Sequence, residues 1–87
     1  MHETALVRDV VQRMIALAAE NKARRVTRAK LWLGAFSHLT ADHFREHFVI
    51  EARNTVAAAA ALDFEVSSDP HDPDAQQVRL ESVEFEE

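Results

Sequence analysis

Val26-Thr27-Arg28-Ala29-Lys30-Leu31-Trp32-Leu33 runs into Gly34, the only glycine of the chain. Thr27, Ala29, Leu31 and Leu33 alternate with Val26, Arg28, Lys30 and Trp32. That two-residue period, in a stretch rich in strand formers, predicts a half-buried β-strand closed by the glycine. On both sides the period changes to that of a helix. Upstream, Leu6, Val7, Val10, Val11, Met14, Leu17 and Ala18 make one apolar stripe from Thr4 to about Asn21, with Arg8, Asp9, Gln12, Arg13 and Glu20 opposite. Downstream, Thr40 is an N-cap and Asp42 sits in the first turn of a second helix reaching about Asn54. Its core stripe is Phe44, Phe48, Ala52 and Val56.

A second strand follows from Leu62 to Ser67, where Leu62, Phe64 and Val66 alternate with Asp63, Glu65 and Ser67. A last one, from Val78 to about Phe85, alternates less cleanly. The order α-β-α-β-β predicts an α+β fold, two helices packed on a small three-stranded mixed sheet. If the first two strands are neighbours, the helix between them forms a right-handed parallel crossover. The strand order itself is left open. No linker or repeat divides residues 1–87, so one domain is expected.

Composition narrows the class of function. At 87 residues the chain buries about 60–65% of its unfolded surface. Its 47% hydrophobic and 29% charged residues are those of a globular protein. It has no cysteine, which excludes disulfides and thiolate zinc ligation, and no zinc is expected. Neither a secretory signal nor a membrane span is visible, and a cytoplasmic protein is expected. A formal charge of −5 argues against nucleic acid as a partner.

The chain opens Met1-His2-Glu3. The α-amine of Met1, the backbone nitrogen of His2 and its ring nitrogen can converge on one metal, closing a five- and a six-membered chelate ring. Such a nitrogen set suits Ni(II) and Cu(II) rather than Mg or Ca. Glu3 adds a carboxylate for the remaining position. Methionine is normally retained before a bulky histidine, so Met1 is expected to carry the amine. An ordinary amine titrates near 7.7–8.0 and imidazole near 6.5, so binding should strengthen as pH rises through neutrality.

Four further features bear on function. His43-Phe44-Arg45-Glu46-His47 has the His-x-x-Glu-His spacing of a class of zinc peptidases. Its two imidazoles share one helix face, expected to be solvated, opposite the phenylalanine stripe. Ser68 to Ala75 is an acidic, proline-punctuated loop whose His71 is an auxiliary metal-ligand candidate, as is His38 in the loop after the first strand. Among the basic residues around the first strand, Arg24, Arg28 and Lys30 share parity and should line one strand face or edge. That basic row protects an edge from aggregation or docks an acidic partner. No nucleophile–base pair or phosphate loop is signalled, and no enzyme is expected.

In combination, Met1-His2-Glu3, the long helix after it, Arg25-Val26-Thr27-Arg28-Ala29-Lys30-Leu31-Trp32-Leu33-Gly34, Arg53-Asn54-Thr55 and the ending from Val78 to Glu87 resemble the HypA/HybF family of nickel-insertion proteins. The resemblance implies nickel held at the amino terminus by His2 and Glu3. It also implies two partners, a GTP-dependent nickel-insertion protein and the large subunit of the nickel enzyme being matured. Typical members separate their last two strands by a zinc domain built on two Cys-x-x-Cys pairs. Here the short 68–75 loop stands in its place, and Ala35 replaces a commonly acidic residue after Gly34. The expected function is therefore a metallochaperone-like accessory protein without a zinc domain. The rivals are an adaptor of the same fold that no longer binds metal, and a small metallohydrolase on His43, Glu46 and His47.

Overall fold

The computed structural model describes residues 3–35, 37 and 39–86. Its elements are α1 (Glu3–Glu20), β1 (Arg25–Leu33), α2 (Ala41–Glu51), β2 (Ala61–Val66) and β3 (Val78–Glu86). The sheet order is β2-β1-β3, with β1 parallel to β2 and antiparallel to β3. The α+β architecture of two helices on a three-stranded mixed sheet is the one the pattern predicts, and the first two strands are indeed parallel neighbours.

The core lies on one face of the sheet. Val7, Val10, Val11, Met14 and Ala18 of α1 pack with Ala29, Leu31 and Leu33 of β1, Phe44 and Phe48 of α2, and Leu62 of β2. Phe44, fully buried, stacks on Phe48 at 6.2 Å and meets the edge of Phe64 at 5.5 Å. This apolar layer gives the small domain most of its stabilisation.

The uneven alternation of β3 has a local cause. Leu31 pairs with Leu80 and Lys30 with Ser82, so Glu81 is an extra residue that flips the strand's parity. Val78 and Leu80 before it, and Val83 and Phe85 after it, therefore all pack against the core. A matching irregularity at Thr27, between the Val26–Phe85 and Arg28–Glu84 pairs, lets Val26 and Ala29 share the buried side.

One boundary and two placements differ from expectation. The second helix stops at Glu51, with the Ala52 amide closing on the Phe48 carbonyl. Asn54 then takes the left-handed conformation at φ 64, which ends any continuation. The basic strand is the centre of the sheet, not an edge. Finally, Trp32 points away from the helices yet is buried, because the Arg79 guanidinium covers its ring at 4.2 Å.

Candidate metal centre

The connections bring the functional ends together. A four-residue turn leads from α1 into β1, with the Ala23 amide donating to the Ala18 carbonyl, so the start of α1 lies toward the far end of β1. At that far end Gly34 is followed by the turn into α2. An ideal Cβ on Gly34 would stand 2.3 Å from the Ala75 carbonyl oxygen, so the chain between β2 and β3 crosses directly over it. The Gly34 amide donates to the Gln77 carbonyl at 2.9 Å. One end of the molecule thus collects the starts of both helices, the turn after β1 and the loop carrying His71.

The helix starts are built as the sequence demands. Thr40 sits in extended conformation and its hydroxyl accepts the His43 amide at 3.1 Å, with Asp42 in the first turn. Helix α1 begins at Glu3.

Met1, His2 and His38 lie outside the described residues. His71 is exposed, and its amide donates to the Asp69 carboxylate at 2.9 Å in an Asx turn. Among the described residues, no three histidine or carboxylate groups cluster as a metal site would require.

The histidine pair on α2 does not simply face water. His43 is exposed, but His47 is half-buried and its Nδ1 lies 3.5 Å from the Thr4 hydroxyl of α1. At 100° per residue, position 47 sits beside Phe48 rather than opposite it, which brings it to the seam between the helices. One turn on, Arg8 Nε donates to Glu51 Oε1 at 3.1 Å.

The basic row is balanced by acids. Arg28 meets Asp63 at 2.6 Å, Lys30 meets Glu65 at 3.4 Å and Arg25 meets Glu86 at 2.6 Å. The Asp63 hydrogen bond and negative charge raise the Arg28 pKa further, keeping the guanidinium charged. Arg24 is exposed at the entry to β1, where its amide donates to the Glu86 carbonyl. The helix-free sheet face is thus a mixed-charge surface rather than a basic edge.

The comparisons with known proteins fall on this geometry. A family model described as hydrogenase/urease nickel incorporation, metallochaperone, HypA matches residues 1–70. This is a class of metallochaperones rather than enzymes. The chain belongs to the HypA family.

Among curated relatives, the hydrogenase maturation factor HypA of Dehalococcoides mccartyi strain CBDB1 is 33% identical over 64 residues, covering 74% of this chain and 54% of the relative. The protein of the same name from strain 195 is 31% identical over the same length. The chain therefore spans about half the length of the curated relatives it matches, at 54%. Of solved structures, that of the Ni metallochaperone HypA from Helicobacter pylori superposes with a TM-score of 0.82 at 19% identity, over 99% of this chain and 98% of that one. Another solution structure, of a HypA protein, gives 0.74 at 20% identity, over 98% and 96%. At these identities the likeness is one of fold.

Proposed function

We propose that the chain is a nickel-binding accessory module that holds Ni(II) at Met1-His2-Glu3 and passes it toward a nickel enzyme such as hydrogenase or urease. The carrying observation is the family match, which begins at this tripeptide and runs through both helices and the first two strands. The α-amine of Met1, the amide and ring nitrogens of His2, and a fourth position filled by Glu3, water or a partner make a set from which the metal can be exchanged. Exchange is what delivery requires.

The partners of this reading are a GTP-dependent nickel-insertion protein and the nickel enzyme's large subunit. Contact falls on the open sheet face, with Arg24, Arg28 and Lys30 among acids that set its register. Without cysteine, the chain has no thiolate for a zinc domain, and the loop of residues 67–77 takes that domain's place between β2 and β3. His71, on the loop at that end, and His38 are auxiliary ligand candidates.

Calorimetric Ni(II) titration of protein whose first residue is Met1 tests the site, with His2→Ala and a version carrying one added glycine before Met1. Micromolar or tighter binding, lost in both controls, is the expected result. Binding that is absent, or that survives both changes, favours the adaptor reading instead.

A further inference from the structure

The two edges of the sheet are finished differently. On β2, Arg45 Nη2 donates to the Leu62 carbonyl at 3.4 Å and its guanidinium lies over Phe64 at 4.8 Å, so an arginine covers that edge. On β3, no strand pairs with the far side among the described residues. The Glu86 carbonyl accepts from the Arg24 amide and the Gln77 carbonyl from the Gly34 amide, so both turn toward β1. Backbone polar groups alternate sides along an antiparallel strand. Val83 and Phe85, and Val78 and Leu80 before the bulge, therefore turn theirs outward. An exposed row of this kind is a template for another strand.

Beside that row runs a groove of about 290 Å³ between α1 and β3. Arg13 and Leu17 line its helix side, and Leu80, Val83 and Phe85 its strand side. The other face of β3 is acidic. Glu84 and Glu86 stand across from Arg28 and Arg25 of β1, and Glu81 is exposed at the bulge.

We propose that this edge takes up, by antiparallel strand addition, an extended segment of a partner protein that alternates basic and aliphatic residues. β1 shows what β3 accepts: it meets the same strand with arginines on the acidic face and with Ala29 and Leu31 on the core side. In an added strand the aliphatic side chains enter the groove beside Leu17, and the basic ones meet the glutamates as cross-strand pairs. A second copy of β3 fits poorly. It brings three glutamates and one cation, Arg79, which Asp74 and Trp32 already hold. The site needs no metal and stands apart from the nickel reading.

The test titrates the whole chain, free of nickel, with an acetylated peptide of alternating lysine and valine, followed by amide shifts and hydrogen exchange. Shifts should centre on Leu17, Leu80, Val83 and Phe85, and exchange at the Val83 and Phe85 amides should slow about tenfold at saturation. Methylating the valine nitrogens, which face β3 in an antiparallel pair, should abolish binding, and so should glutamate in place of lysine. Glu84→Gln should weaken binding about two- to fivefold, the scale of a cross-strand charge pair. Leu17→Asp should weaken it about tenfold through the groove. No binding at millimolar peptide, binding that survives valine methylation, or shifts confined to Lys30 and Ser82 would overturn the proposal. Slowed exchange that grows with protein concentration in the absence of peptide would give the edge to a second copy, which overturns it too.

Discussion

Arg79 lays its guanidinium over the Trp32 ring at 4.2 Å, and this contact buries the only tryptophan on the face of the sheet that no helix covers. Asp74 Oδ2 accepts from Arg79 Nη1 at 2.8 Å. The ion pair is partly exposed and adds little by itself. The stem and planar head of the arginine matter more, since they exclude water from the indole. Arg79→Ala should therefore cost about 1–2 kcal/mol. It should also shift the emission of Trp32 to longer wavelength. Arg79→Lys, which keeps charge but not the planar stack, should fall between. Urea unfolding followed by fluorescence reads both effects at once.

Gly34 is required by contact rather than by backbone conformation. A methyl there meets the Ala75 carbonyl carbon at 2.6 Å as well as its oxygen, and both are backbone atoms that a rotamer change cannot move. Gly34→Ala must push the loop of residues 67–77 away and stretch the bond from Gly34 to Gln77. A cost of about 1–3 kcal/mol is expected, the usual range for overpacking. Amide shifts should change at residues 75–77 and stay fixed in α1. Unchanged stability would mean that the loop yields without loss.

The parts legible in the sequence are those set by local periodicity. Val7, Val11, Met14 and Ala18 are buried where the stripe of α1 puts them, and Phe44, Phe48 and Ala52 likewise on α2. What escaped the pattern depends on pairing between distant segments. A two-residue period carries no sign of the extra residue at Glu81, because a bulge is defined only against the partner strand. For the same reason, the lysine and arginine of β1 suit an edge as well as a centre whose neighbours bring Asp63 and Glu65. The approach of His47 to Thr4 depends on the register between two helices; from spacing alone that histidine face reads as solvated and opposite the phenylalanine stripe, and half-buried His47 departs from that reading.

Thr40 caps α2 at the end where the two helix starts gather. Its hydroxyl is the acceptor for the His43 amide, so Thr40→Ala leaves that donor to water and should cost about 1 kcal/mol. Thr40→Asp should recover the loss, through the same bond and through its charge at the helix start. Thermal unfolding of the three proteins measures the order. If Thr40→Ala matches wild type, the cap contributes nothing to the fold.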